Sequence, residues 1–75
     1  MSEPTEWIPT PGSSHVEQIG YEPDTQDVYV QFLDDGSVYR YRDVPMTVWN
    51  QFLASGSKGR FVEVILRRQY HYSRE

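Results

Sequence analysis

The chain reads as an α+β domain: a three-stranded antiparallel β-meander followed by a two-helix hairpin packed on one face of the sheet. Three observations predict this. Val28, Val30 and Phe32 alternate with Tyr29 and Gln31, the period of two that marks a half-buried strand. Asp34-Asp35-Gly36-Ser37 then turns the chain back, because Asp-Gly supplies the positive φ values of a tight hairpin. Beyond Pro45 the apolar spacing becomes helical. Val48, Trp49, Phe52 and Leu53 share one face, and Phe61, Val62, Ile65 and Leu66 repeat the spacing.

Residues 1–12 are expected to form a flexible N-terminal tail, and 13–75 a single small domain. Pro4, Pro9, Pro11 and Gly12 oppose regular structure in the tail. Trp7-Ile8 is its apolar exception, either an anchor folded back on the domain or an exposed docking element. Val16 to Tyr21 is the first strand, closed by the turn-forming Glu22-Pro23-Asp24-Thr25. Asp27 to Phe32 is the second strand and Val38 to Arg42 the third.

A turn over Asp35-Gly36 or 34–37 sets Leu33 opposite Val38, Phe32 opposite Tyr39, Val30 opposite Tyr41 and Tyr29 opposite Arg42. Val28, Val30, Phe32, Tyr39 and Tyr41 then share the core face; Tyr29, Gln31, Arg40 and Arg42 share the other. A slip by one residue would mix arginine with valine, which disfavours it. Pro45 opens the first helix, where its missing N–H costs nothing. Gly56 fits a left-handed stop, and Ser57 is a suitable N-cap for the second helix. Gln69 to Glu75 has no clear period. The expected core is Val30, Phe32, Trp49, Phe52, Phe61 and Ile65.

Composition narrows the function classes. A chain of 75 residues is one small domain of modest stability. Without Cys it has no disulfide, no thiol nucleophile and no Cys-ligated zinc. No apolar run approaches the ~20 residues of a membrane span. The first residues have no basic region or apolar core of a secretory signal, and a cytoplasmic location is expected. The two histidines, His15 and His71, have no metal or catalytic spacing around them. A non-enzymatic protein with no cofactor and no metal is therefore expected.

Charge is sorted along the chain. Residues 1–39 carry eight acids and no Lys or Arg, whereas 40–75 carry all seven basic residues against three acids. The halves hold -8 and +4, within a net charge of -4. The basic residues are interleaved with aromatic ones in Tyr39-Arg40-Tyr41-Arg42 and in Arg67-Arg68-Gln69-Tyr70-His71-Tyr72.

Ordered blocks of residues resemble a known family. Ser13-Ser14 with Ile19-Gly20-Tyr21 comes first, then Gly36-Ser37-Val38-Tyr39-Arg40-Tyr41 and Val44-Pro45. Ser57-Lys58-Gly59-Arg60-Phe61 and Ile65-Leu66-Arg67 with Tyr70 follow. Together they resemble the KTSC domain, a small bacterial module that also occurs at the C-terminus of some lysyl-tRNA synthetases and is usually marked by Tyr-x-Tyr. The resemblance covers about residues 13–72. It implies no established function, and through the synthetase fusion it suggests RNA.

The candidate binding residues are Tyr29, Tyr39, Arg40, Tyr41, Arg42, Ser57, Lys58, Gly59, Arg60, Arg67, Arg68 and Tyr70. Tyr39 and Tyr41 either pack under the helices or line a groove that stacks a planar ligand. Arg40 and Arg42 beside Tyr29 form either a solvated sheet face or a basic, aromatic face for single-stranded nucleic acid. Ser55 to Arg60 forms either a capped turn or an anion site at a helix start, with Lys58 completing it. The leading expectation is a binding module for RNA or single-stranded DNA. The alternative is a protein-interaction module using the acidic N-terminal half or Trp7-Ile8.

Overall fold

The computed structural model describes residues 3–75. Its sheet has five antiparallel strands in sequence order: β1 (Trp7–Pro9), β2 (Val16–Glu22), β3 (Asp27–Phe32), β4 (Val38–Tyr41) and β5 (Tyr72–Arg74). Two helices separate β4 from β5. The first, α1, is Met46–Ala54; the second, α2, spans 58–69 as α-helical Lys58–Phe61, π-helical Val62–Leu66 and α-helical Arg67–Gln69.

The three-stranded meander thus becomes the centre of a five-stranded sheet. Both added strands are three-residue edges, too short to show a period of their own. Their partners create them. β1 pairs Trp7 with Gly20 and Ile8 with Ile19, and β5 pairs Tyr72 with Tyr41 and Arg74 with Tyr39. Pro9 is tolerated because it ends an edge strand, where a missing N–H breaks no central ladder. The expectation of a tail without regular structure therefore fails at 7–9. Pro4 is also buried; Met1 and Ser2 lie outside the described residues.

The β3–β4 register differs from the expected one by two residues: Val28 faces Tyr41, Tyr29 faces Arg40 and Val30 faces Tyr39. A shift of two leaves every side chain on its expected face. The loop is 33–36, closed by the Phe32 N–H to the Ser37 carbonyl at 2.9 Å and the Gly36 N–H to the Phe32 carbonyl at 3.0 Å. Gly36 occupies the left-handed position at φ 71°, the last residue of the loop. The chain takes the four-residue loop that puts its glycine there. The β2–β3 loop has the same form, with Gln26 at φ 60° and its N–H bonded to the Glu22 carbonyl at 2.8 Å.

The helices cover the face bearing Ile19, Tyr21, Val28, Val30 and Tyr41, which pack with Val16, Val44, Trp49, Phe52, Val62 and Leu66 in one core. Tyr21 stacks on Trp49 at 5.2 Å and donates its hydroxyl to the Val44 carbonyl at 2.6 Å. Phe52 stacks on Phe61 at 4.9 Å. Of the expected core, Val30, Trp49 and Phe52 are buried, and Phe32 and Phe61 pack at the margin. Ile65 is only half-buried and lies outside the cluster; Val62 and Leu66 take the inward positions, where the π turn widens the helix.

Gly56 is not left-handed, since Gly36 is the described glycine with positive φ. α1 instead ends at an extended Ser55, whose N–H and hydroxyl both donate to the Phe52 carbonyl. Ser57 is the N-cap expected of it, its hydroxyl accepting the Arg60 N–H at 3.3 Å.

Candidate functional site

The register divides the candidate residues between two sheet faces. On the face away from the helices, one row runs Trp7, Gly20, Tyr29, Arg40 and Ser73 across all five strands. Gly20 offers no side chain, so Pro4 fills the space above it: a Cβ on Gly20 would lie 2.3 Å from Pro4 Cγ. Trp7 then meets Tyr29 edge-to-face at 6.4 Å. Thr5 ties the N-terminal segment down through its hydroxyl, which donates to Glu22 Oε2 at 2.7 Å.

This packing overturns the expectation of an open basic, aromatic sheet face. Tyr29 is only 3% exposed. Arg40 hydrogen-bonds the Tyr29 hydroxyl at 3.5 Å and pairs with Asp27 and Glu75, each at 3.7 Å. Tyr29 raises the Arg40 proton affinity above its ordinary value, and Glu75 and Asp27 add to this. Arg42 donates to Ser73 Oγ at 2.9 Å, so the expected Tyr29–Arg42 pairing is replaced by Tyr29–Arg40. Arg40 and Arg42 are fasteners for β5 and the chain end.

Lys58 is likewise placed otherwise than expected. Its Nζ donates to the Ser55 carbonyl at 2.7 Å and the Leu53 carbonyl at 3.2 Å, at the C-terminal end of α1. A cation there satisfies orphan carbonyls and the negative end of the helix dipole. At Gly59 a Cβ would sit 3.3 Å from His15 Cβ, so the glycine admits the imidazole. His15 Nδ1 is in turn 2.9 Å from Ser14 Oγ. In the loop 55–60, Ser57 caps the second helix and Lys58 closes the end of the first.

The other face has an open groove of about 1310 Å³ where α2 stops short of the β3–β4 hairpin. Its floor is aromatic. Tyr72 lies 5.9 Å from Tyr39 and 5.5 Å from Tyr41, and Tyr39 meets Phe32 edge-to-face at 5.5 Å. Tyr41 is buried at 3% exposure, Tyr39 is half-buried and Tyr72 is 44% exposed. Burial raises the Tyr41 hydroxyl well above the ordinary phenol range, with Tyr72, Tyr39 and Glu63 adding to it.

One wall is α2 with its N-cap Ser57, and the helix itself contributes Gly59, Arg60, Glu63 and Arg67. Positions three and four apart on a helix share a face, so Arg60, Glu63 and Arg67 line up along the groove. Glu63 Oε2 accepts from Arg67 Nη1 at 2.9 Å. The π turn lies between these residues, closed by the Arg67 N–H to the Val62 carbonyl. Such single wide turns are frequent at functional sites. The opposite wall is the hairpin, with Leu33, Asp34 and Asp35. Asp35 pairs with Arg74 at 3.6 Å, and hydrogen bonds from Ser37 hold its carboxyl below the usual range.

The groove therefore gathers Tyr39, Tyr41, Ser57, Gly59, Arg60 and Arg67 from the expected set and excludes Tyr29, Arg40, Arg42, Lys58, Arg68 and Tyr70. Arg68 is exposed, and Tyr70 packs against the core. Phe32, Asp34, Glu63 and Tyr72 were missed. Glu63 was findable in the sequence, because Arg60-x-x-Glu63-x-x-x-Arg67 has helical spacing; Tyr72 was not, because only the β4–β5 ladder places it. Among the described residues there is no cluster of three or more potential metal ligands, and no helix is long and apolar enough to cross a membrane.

Together these features define a small α+β domain with a tyrosine-floored groove between sheet and second helix. The chain belongs to the KTSC domain family, whose model matches residues 12–70. A crystal structure of a KTSC domain protein from Yersinia pestis superposes with a TM-score of 0.85 at 30% identity, covering 93% of this chain and 96% of that one. An uncharacterized protein from Stutzerimonas stutzeri is 38% identical over 63 residues, 83% of this chain and 87% of that protein. A lysine–tRNA ligase from Nostoc sp. is 36% identical over 62 residues, 83% of this chain. The match spans only 11% of the ligase. Of the residues in the blocks that carry the resemblance, Ser14, Ser37, Tyr39, Tyr41, Ser57, Gly59, Arg60 and Arg67 border the groove.

Proposed function

We propose that the groove is a binding site for single-stranded nucleic acid, RNA in the first instance. The observation that carries this is the floor of three tyrosine rings from adjacent strands, open beside a helix that presents Arg60 and Arg67. A base stacks on the exposed Tyr72 and the half-buried Tyr39, as bases do on aromatic platforms. Arg60 forms no ion pair among the described residues and serves the neighbouring phosphate. The match to a segment of a lysine–tRNA ligase supports the reading, since that protein's partner is an RNA. The acidic hairpin wall and the net charge of -4 oppose long polyanion tracts, so the site suits one or two nucleotides of a strand.

A second reading, a protein partner, draws on Asp34, Asp35 and Glu63 at the same groove, which suit a cationic peptide. Trp7-Ile8, its other expected element, is built into the β1 edge of the sheet.

Titration with a short mixed RNA at ~50 mM salt, followed by amide shifts, tests the proposal. Shifts are expected at 32–39, 57–67 and 72. Tyr72→Ala should weaken binding by about 1–3 kcal/mol. Arg60→Ala should lower the salt slope by about one, while Lys58→Met leaves it unchanged. Absence of binding by both this RNA and a matching single-stranded DNA would overturn the reading.

A further inference from the structure

We infer that the groove is selective for guanine, a specificity that rests on the nucleic-acid reading above. Three groups of the required chemistry share one wall and floor. The Tyr39 and Tyr72 rings supply a stacking surface, Glu63 supplies a carboxylate and Arg67 a guanidinium, all lining the same groove. The acid and the base are already side by side, with Arg67 Nη1 2.9 Å from Glu63 Oε2.

Base edges differ in what they offer such a pair. Guanine presents two adjacent donors, N1–H and N2–H₂, followed by the acceptor O6. A carboxylate accepts both donors with its two oxygens, and a neighbouring guanidinium donates to O6. Adenine and cytosine each offer one amino donor beside an acceptor, and uracil offers one N–H between two carbonyls. Guanine alone uses both carboxylate oxygens and the guanidinium together. Recognition of this fork-like kind is the basis of base discrimination by charged side chains.

The site can take up these bonds without disruption. Both side chains are more than half exposed, at 58% and 64%, so their mutual pair is weakly held and can share its atoms with a ligand. Each carboxylate oxygen has two acceptor positions, so Oε2 can keep Arg67 while a base is bound. Two neighbours raise the Arg67 proton affinity, Glu63 on the same wall first and the Tyr72 hydroxyl of the floor second. The π turn between Val62 and Arg67 fixes the backbone that carries the pair.

The experiment compares the RNA trinucleotides UGU, UAU, UCU and UIU, where I is inosine, by amide shifts at ~50 mM salt. UGU should bind about tenfold more tightly than UAU or UCU, the lower end of discrimination by a bidentate contact. UIU, which lacks the N2 amino group, should fall between UGU and UAU. Glu63→Gln should bring the UGU to UAU ratio toward one; its exposure makes the change safe for the fold. Equal binding of UGU and UAU overturns the inference and leaves the groove reading in place. A preference for UCU overturns the assignment of guanine. If no trinucleotide binds, the groove reading itself falls. If an arginine-rich peptide then shifts the same amides, the site reads protein.

Discussion

The seat of the N-terminal segment on Gly20 can be tested with one methyl group. In Gly20→Ala the new Cβ would lie 2.3 Å and 2.6 Å from the Pro4 ring and 2.9 Å from the Glu6 carbonyl oxygen. Carbon atoms rest at about 3.5–4.0 Å, so the segment must move by more than an ångström. The ring is fixed to the backbone and the third contact is backbone, so no side-chain rotation relieves the overlap. Overpacking of this kind costs about 1–3 kcal/mol. For a domain of this size that corresponds to a fall in Tm of roughly 4–24 °C.

Thermal unfolding by circular dichroism reads the loss, and hydrogen exchange should quicken at the amides pairing β1 with β2. Adding Pro4→Gly removes the two ring contacts, so Gly20→Ala should cost less in that background, the coupling expected of touching residues. An unchanged Tm, or an equal fall in both backgrounds, would refute the placement of Pro4 over Gly20.

Two further predictions concern the helical face. Phe52 is fully buried between Trp49 and Phe61, so Phe52→Ala should cost about 3–5 kcal/mol, close to the whole stability of a domain this small; a urea titration with an unchanged midpoint would remove Phe52 from the core. Tyr41 should resist ionisation in a spectrophotometric titration, its phenol holding its proton well above the pKa of about 10 of an unperturbed tyrosine. Its folded pKa is raised, so above about pH 10 the unfolded chain has released a proton that the folded one still holds, and stability falls as pH rises. In Tyr41→Phe that alkaline loss should shrink; an identical pH profile would show that Tyr41 does not cause it.

The two faces of the sheet divide the labour of the sequence blocks. On one, Gly20, Tyr29 and Arg40 receive the two chain ends: Pro4 and Trp7 from one side, Ser73 and Glu75 from the other. On the other, Tyr39 and Tyr41, each one residue away from Arg40, turn to the groove. The alternation of Tyr39-Arg40-Tyr41-Arg42 is thus a strand presenting rings to one face and fastening cations to the other, as period-two geometry requires.

What the sequence determined by itself was local. Val28-Val30-Phe32 against Tyr29-Gln31 marked a strand and its faces, Gly36 marked a turn though not its register, and the spacing from Val48 and from Phe61 marked two helices, with the buried side right at Trp49-Phe52 but not at Ile65. These patterns are set by backbone periods of 2 and 3.6, which act over a few residues. What only the tertiary structure decided was who meets whom across the chain. Trp7–Pro9 and Tyr72–Arg74 are strands because β2 and β4 offer them unpaired edges. Arg40, read alone, is a basic residue on an open face; beside Asp27 and Glu75 it is neutralised. Lys58 points to the end of α1 because the interhelical turn brings those carbonyls within reach. Tyr72 joins Tyr39 and Tyr41 only when β5 closes the sheet. Pairing distant segments depends on loop closure and mutual burial summed over the whole fold, and no short-range pattern encodes it.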